Sequence, residues 1–436
     1  MKLQKRYLQG MLVGLALLLV PAVWSIHSLG GNPLTRPDGI VAAAKTAVGI
    51  HPTTYHLHWE ENPDAVWYSA EFHDAAGRMV ERVPKVYSND MIVPHTVSGE
   101  DTMRHLTYSV QAFDFDGNAI SLPSIPAPVL PDSEEVTDAP WPRSVYNEGN
   151  GTTLLYPVYA YTSYPGAALY EVELLTHKPE NPNGWEPSHF RVASFVSYLT
   201  DQYDDRARIG EYYWRVRALR ADGRPISCWS DARTFRTSPR DNWTVAVFGD
   251  SIGHGGGHLS YCPTDWDYSF LSYLSFPAIN LSQSGDTSEM MKDRFKRDVL
   301  PFHPQVVLIM GGSNSLRESI PAENVIEDLQ AMADMAREHG IRPILLTLPP
   351  INPEQIEKTF KEPTYEDWRK SFNEVNEYIR TQPHIDTAAA FDETKDLPAE
   401  YALDGLHGDW RAKKMMAQVI NEDIGRILDE EDAEMP

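Results

Sequence analysis

The chain has 436 residues, which is enough for two to four domains, and hydrophobic residues make up 42% of it. Its 62 acidic side chains outnumber 38 basic ones, and the resulting net charge of −24 argues against binding to nucleic acid. Two cysteines exclude a disulfide scaffold, a four-cysteine zinc site and an iron–sulfur cluster.

The first 30 residues read as an export signal. Lys2, Lys5 and Arg6 precede an apolar run from residue 11 to residue 24, and a basic cluster before an apolar run keeps its positive end in the cytoplasm. The run fits either a cleaved signal peptide or a retained membrane anchor. Either way, we expect the rest of the chain to work outside the cytoplasm, as an extracellular or cell-surface protein. Residues 27–45 read as a stalk.

Two all-β modules are predicted next, over residues 46–130 and 140–238, with a Pro-rich linker at 122–143. Alternating segments recur: residues 68–72 are echoed by residues 170–174, and 108–117 by 214–223, at offsets close to one sandwich domain. Segments 108–117 and 214–223 each end in an Asp-Gly pair, which is a signal of a hairpin turn. The pattern resembles immunoglobulin-like sandwiches of the fibronectin type III family.

From residue 241 to residue 430 short apolar runs alternate with helical stretches, which predicts a parallel, three-layer α/β domain. The predicted strands are 244–248, 278–281, 306–310, 344–348 and 385–391. The predicted helices are 286–299, 321–339, 364–381 and 410–428. In such a sheet, functional groups gather at the carboxyl ends of the strands.

Four motifs stand at those positions. Gly249-Asp-Ser251-Ile follows the first strand, Gly285 follows the second, Gly312-Ser-Asn314-Ser follows the third, and Asp404-Gly-Leu-His407 precedes the last helix. A serine hydroxyl needs a base to become nucleophilic, and His407 with Asp404 three residues before it provides a base and its orienting carboxylate. The Ser251 and Gly285 amides and the Asn314 side chain offer donors to an oxyanion.

These residues resemble the four blocks of the SGNH, or GDSL, hydrolase family over residues 243–428. The resemblance implies a flavodoxin-like α/β/α fold and hydrolysis of carboxylic esters or thioesters without metal or other cofactor. It implies Ser251 as nucleophile, His407 as base and Asp404 as its orienter, with Gly285 and Asn314 completing the oxyanion hole. Two residues depart from the pattern: Ile252 stands where leucine is common, and Ser315 where many members have Asp, which we expect to loosen local hydrogen bonding.

Other interpretations of the same residues are weaker. Gly249-x-Ser251-x-Gly also fits the nucleophile elbow of α/β-hydrolases, but the His254-Gly-Gly-Gly run follows the serine instead of preceding it. His254 and His258 have a metal-compatible spacing, but glycines separate them and no third ligand is evident. We assign Asp250 a turn or capping role. Cys228 and Cys262 fall in different predicted domains, so we expect separate thiols. A non-catalytic adhesion protein is the alternative from another class.

The substrate is the open question. Secreted, multimodular members of the family are commonly carbohydrate O-acetyl esterases, and by analogy we expect an acetylated polysaccharide. Lipase, thioesterase and lysophospholipase activities are the alternatives. We expect the pocket to be formed by residues 350–365 and by residues 254–275, whose aromatic side chains are Tyr261, Trp266, Tyr268 and Phe270.

Overall fold

The computed structural model describes residues 53–255 and 269–429. The predicted leader and stalk lie outside these ranges, as do Tyr261, Trp266 and Tyr268 of the predicted pocket loop. Within the described ranges, no helix has both the length and the apolar character needed to cross a bilayer.

The first β unit consists of a three-stranded sheet in the order β4-β1-β7 and a four-stranded sheet in the order β3-β2-β5-β6, which share one hydrophobic core. Its one α-helix among the described residues, α1, is Glu100–Met103. The strands are β1 Thr53–His58, β2 Trp67–His73, β3 Met79–Val86, β4 Asp90–Ile92, β5 Thr107–Phe113, β6 Ala127–Pro128 and β7 Ser133–Thr137.

The predicted linker at 122–143 is wrong in its second half, because β7 lies inside it and pairs antiparallel with β1. The first β unit therefore extends past the predicted boundary at residue 130. Four of the six prolines of this stretch stand before β7, at positions 123, 126, 128 and 131, and two follow it, at 140 and 142. The five residues of β7 contain none, so their N–H groups are available to a sheet.

The second β unit repeats the four-stranded sheet of the first in the order β10-β9-β12-β13, and adds the pair β11-β8. Tyr68 of β2 pairs with Ala112, and Tyr170 of β9 pairs with Ala218. This common register confirms the predicted internal repeat. The strands are β8 Val158–Ala160, β9 Leu169–Leu175, β10 Arg191–Ser197, β11 Asp201–Tyr203, β12 Gly210–Leu219 and β13 Arg233–Thr237.

The two β units share buried groups. Ile92 and Val136 of the first unit belong to the hydrophobic core of the second. The buried Asp90 carboxylate binds His56 of its own unit at 2.9 Å and pairs with the Arg143 guanidinium across the boundary. Because a buried charge is stable only when it is paired, this contact fixes one unit against the other.

The C-terminal unit is a five-stranded parallel sheet in the order β15-β14-β16-β17-β18, and helix α5 packs against both α3 and α7. Numbered within the sheet, this is the order 2-1-3-4-5 of flavodoxin-like folds. The strands are β14 Val245–Gly249, β15 Ala278–Asn280, β16 Val306–Met310, β17 Arg342–Leu346 and β18 His384–Ile385. The helices are α2 Ser251–His254, α3 Ser288–Asp298, α4 Ser313–Arg317, α5 Ala322–Glu338, α6 Pro353–Phe360, α7 Trp368–Arg380 and α8 Trp410–Asp429.

The last predicted strand is shorter than expected. Instead of 385–391, β18 has two residues, and a 3-10 turn occupies Thr387–Ala390. The Thr387 hydroxyl donates to the Thr347 carbonyl and the Ala388 N–H donates to the Thr347 hydroxyl, which turns the chain away from the sheet. Helix α6, inside the predicted pocket segment 350–365, was not predicted.

Candidate active site

The predicted site residues lie at one edge of the parallel sheet. Ser251 begins α2 two residues after β14 ends, Gly285 is in the loop after β15, and Asn314 is in α4 after β16. Asp404 and His407 are in the loop that precedes α8. Because carboxyl ends of parallel strands meet at the same edge, these separate motifs converge.

Ser251, His407 and Asp404 form a continuous hydrogen-bonded chain. The Ser251 Oγ lies 2.6 Å from the His407 Nε2, and the His407 Nδ1 lies 2.6 Å from the Asp404 Oδ2. A carboxylate only accepts hydrogen bonds, so Nδ1 carries the proton and the Nε2 of the neutral ring accepts the serine proton. All three residues are buried, which strengthens each of these hydrogen bonds.

The loop from Asp404 to His407 is held by its own backbone. The second carboxylate oxygen of Asp404 accepts the N–H groups of Leu406 at 2.9 Å and of His407 at 2.7 Å. Gly405 has a φ of +89°, and a Cβ there would lie 2.4 Å from the Asn352 carbonyl oxygen. Only glycine fits this position, so the sequence Asp-Gly-Leu-His specifies the loop as well as its chemistry.

The loop after β15 approaches the other candidate donors. The Asn314 amide nitrogen donates to the Asp286 carbonyl at 2.9 Å, which attaches it to the residue after Gly285. Gly285 has a φ of +88° and open space where a Cβ would stand. Among the described residues other than Gly285 and its two chain neighbours, none comes within 4 Å of that Cβ position.

Residues 247–409 match the model of the GDSL-like Lipase/Acylhydrolase family. The C-terminal domain is a serine ester hydrolase domain of this GDSL-like type. The matched segment begins in β14 and ends just before α8, so it contains all five residues of the predicted triad and oxyanion hole.

Individual relatives match parts of the chain. The uncharacterized lipoprotein YqeF of Bacillus subtilis is 31% identical over 126 residues, which are 24% of this chain, and the chain spans about half (49%) of that protein. A GDSL-like lipase from Bacteroides thetaiotaomicron is 22% identical over 42% of this chain and 88% of its own, with a TM-score of 0.35. A variant of the acetyl xylan esterase Axe2 from Geobacillus stearothermophilus is 20% identical over 42% and 94%, with a TM-score of 0.33.

Two further charged side chains of the hydrolase domain are buried beside the triad. Asp250 caps α2 by accepting the Ile252 N–H at 2.9 Å, which confirms its predicted capping role. Burial raises the pKa of Asp250 to about 6. Lys413 of α8 is buried and donates to the Ile252 carbonyl at 2.7 Å. Burial lowers the pKa of Lys413 to about 8, although the Asp250 and Asp404 carboxylates oppose this shift.

Arg294 of α3 links the strand ends beneath the site. Its guanidinium donates to the carbonyls of Gly249 and Leu281, at 2.8 Å each, and pairs with the Asp286 carboxylate and, at 3.2 Å, with that of Asp298. Burial nevertheless raises the pKa of Asp286 to about 6. Neither Arg294 nor Lys413 was predicted, because both lie in helices where charged residues usually face solvent.

Several expectations about the surrounding residues change. Ser315 does not loosen the site, since its hydroxyl accepts the Ser288 N–H at 3.0 Å. Phe270 is fully buried in the core of the hydrolase domain and is not a pocket residue.

His254 is also fully buried, whereas His258 lies outside the described ranges. Cys228 is a buried free thiol, and Cys262 lies outside the described ranges. Across residues 53–255 and 269–429, no three His, Cys, Asp or Glu side chains are grouped to hold a metal ion.

Proposed function

We propose that this protein is an extracytoplasmic esterase in which Ser251 is the nucleophile, His407 the general base and Asp404 the residue that orients it. The observation that carries the proposal is the chain of two 2.6 Å hydrogen bonds from Ser251 through His407 to Asp404. Its direction matches the proton transfer that ester hydrolysis requires.

The reaction follows from this geometry. As the Ser251 oxygen attacks the ester carbonyl, the His407 Nε2 takes its proton, and Asp404 stabilises the imidazolium that forms. The Ser251 and Gly285 N–H groups and the Asn314 amide stabilise the charge on the carbonyl oxygen. The alcohol leaves with the proton from His407. Water, activated by the same histidine, then hydrolyses the acyl group from Ser251.

Labelling with a fluorophosphonate tests the nucleophile. We expect one adduct on Ser251 in the folded wild-type protein and none in Ser251→Ala, together with a loss of at least about a thousandfold in kcat. The thermal unfolding temperature of Ser251→Ala should stay close to the wild-type value, because the substitution removes one hydroxyl. Full turnover by Ser251→Ala would contradict the proposal, and absence of an adduct in the wild type would favour the adhesion hypothesis.

For the substrate, we propose an O-acetylated, uncharged polysaccharide. A cleft of about 280 Å³ lies between the first β unit and the segments on either side of Asp404 and His407, and its lining reaches Leu403 and Asp409 but includes none of the triad residues. Carboxylates accept hydrogen bonds from sugar hydroxyls and aromatic rings pack on sugar faces, so a polar and aromatic cleft suits this ligand. The net charge of −24 disfavours strongly anionic polymers. The cleft is lined by, among others, Asp64, Phe115 and Asp116 of the β unit and Leu403, Trp410 and Arg411 of the hydrolase domain.

A p-nitrophenyl ester series from acetate to palmitate, with acetylated polysaccharides beside it, tests the substrate class. We expect activity confined to the acetate ester and release of acetate from the polymer. Trp410→Ala should lower kcat/KM on the polymer at least several-fold and leave turnover of p-nitrophenyl acetate unchanged. A preference for long acyl chains would instead identify a lipase or thioesterase.

We propose that residues 1–30 export the chain, either as a cleaved signal or as an anchor, and that the two β units are fibronectin type III-like sandwiches. Fractionation of cells that express the full chain tests the location. Ester hydrolase activity confined to the cytoplasm would contradict export.

A further inference from the structure

A segment of the second β unit continues the sheet of the hydrolase domain. The Asn280 N–H donates to the Thr153 carbonyl and the Leu155 N–H donates to the Asn280 carbonyl, at 2.9 Å each, in a parallel bridge beside β15. Leu155 and Tyr156 are buried in the core of the hydrolase domain. The β unit therefore delivers its main chain to the edge of the sheet next to the site.

His254 connects this segment to the loop after β15. The His254 Nε2 lies 2.7 Å from the Tyr156 carbonyl oxygen, and the Nδ1 lies 2.9 Å from the Ser284 hydroxyl. A carbonyl only accepts, so Nε2 carries a proton, and the Nδ1 of a neutral ring accepts from Ser284. The side-chain amide of Asn280 donates to the carbonyls of Gly253 and His254, at 3.1 Å each, which holds the backbone of the His254 turn in place.

Ser284 directly precedes Gly285. Glycine in the left-handed region has no side chain to restrain it, so the direction of the Gly285 N–H depends on its neighbours. On one side the Asp286 carbonyl accepts from Asn314 at 2.9 Å. On the other side the Ser284 hydroxyl is bound to His254. Gly285 is thus fixed at both of its neighbours.

We propose that His254 is a positioning residue, which uses the Tyr156 carbonyl of the second β unit to hold Ser284 and so aim the Gly285 N–H at the substrate carbonyl. The inference rests on the proposed roles of Ser251 and Gly285. Removing one oxyanion donor outright lowers kcat about 100- to 1,000-fold, and moving one donor costs less. Loss of the Ser284 hydrogen bond should therefore lower kcat about tenfold.

The test compares two serines of the same loop. Fluorophosphonate labelling of a separate sample gives the concentration of reactive Ser251, and kcat is normalised to that concentration. In Ser284→Ala we expect this normalised kcat on p-nitrophenyl acetate to fall about tenfold, with KM nearly unchanged. Ser282→Ala is the matched control, because the Ser282 hydroxyl is buried without a hydrogen-bond partner among the described residues. The affinity for phenylboronic acid, which forms a tetrahedral adduct on serine, should weaken in proportion to kcat in Ser284→Ala. A folding defect would lower the labelled fraction instead.

A double-mutant comparison traces the path. If His254 acts through Ser284, His254→Phe combined with Ser284→Ala will have the same kcat as His254→Phe alone. Wild-type kcat in Ser284→Ala, or additive losses in the double variant, would overturn the inference while leaving the proposed function intact. Should His254→Phe fail to fold, the comparison of Ser284→Ala with Ser282→Ala decides by itself. Failure of the proposed function is seen separately, as turnover by Ser251→Ala.

Discussion

Charge beside the nucleophile is concentrated in a few buried side chains. The buried Lys413 side chain donates to the Ile252 carbonyl, and the Asp250 and Asp404 carboxylates raise its pKa against the larger lowering effect of burial. In the unfolded chain the same lysine is solvated and keeps its ordinary pKa of 10.5. The folded state therefore favours the neutral amine relative to the unfolded state.

The sign of the pH dependence follows. Between pH 8 and pH 10.5 the unfolded chain binds this proton more tightly, so stability from Lys413 rises with pH, by about 3 kcal/mol in total. We expect Lys413→Met to lack this rise in chemical denaturation at several pH values. The neighbouring, exposed Lys414 is the control, and Lys414→Met should follow the wild type. Parallel curves for all three proteins would contradict the prediction.

Gly405 sets the backbone conformation of the loop that carries His407, so a substitution there should affect both stability and catalysis. In Gly405→Ala the new Cβ would lie 2.4 Å from the Asn352 carbonyl oxygen and 2.5 Å from the Ile356 nitrogen, so the loop that carries His407 must shift. We expect unfolding to become easier by about 2 kcal/mol or more and kcat to fall at least about tenfold. Gly77→Ala, with φ +73° and no atom within 4 Å, is the control for strain alone. Equal stability losses in the two variants would show that the close contact is unimportant.

Arg294 of α3 connects two neighbouring strands to the loop that contains Gly285. It joins the ends of β14 and β15 to the loop after Gly285 through a planar group with several donors. A lysine keeps the charge but cannot bridge these positions, so Arg294→Lys should destabilise the fold by about 3 kcal/mol. Arg337→Lys on helix α5 is the control, because the Arg337 side chain is 43% exposed and pairs with the exposed Asp334, so the substitution should cost less than about 1 kcal/mol. Thermal unfolding followed by circular dichroism measures both, and equal shifts would exclude a bridging role.

The sequence predicted elements well where their signals are local. Four apolar runs coincide with β14 to β17, and the motifs after them reach one edge of the sheet because parallel strands require it. The features that the sequence does not indicate depend on contacts between residues that are distant along the chain. No property of residues 153–156 indicates a partner strand more than a hundred residues away, and β7 is obscured by the prolines before it. The sequence around His254 indicates only a glycine-rich run and a metal-compatible spacing to His258, since the hydrogen-bond partners of this side chain depend on the folded chain.

The second β unit is structurally part of the hydrolase domain. Leu155 and Tyr156 complete its core, and the Tyr156 hydroxyl donates to the buried Asp298 at 2.5 Å. The first β unit instead contacts the hydrolase domain through more exposed ion pairs, Lys358 with Asp116 at 2.5 Å and Arg411 with Asp64 at 3.8 Å. Exposed pairs contribute little, whereas each buried side chain contributes about 2 kcal/mol.

Truncation separates these two contributions. A fragment of residues 239–436 exposes the edge of β15 and leaves His254 and Asp298 without their Tyr156 partners. We expect it to bind a hydrophobic dye, to unfold without a cooperative transition and to lose turnover of p-nitrophenyl acetate. A fragment of residues 139–436 keeps the buried contacts to the hydrolase domain and should retain that turnover, while it loses the cleft and with it activity on acetylated polysaccharide. Wild-type kcat and a cooperative transition in the shorter fragment would mean that the second β unit is an independent module. Loss of turnover in both fragments would mean that the hydrolase domain depends on the first β unit as well.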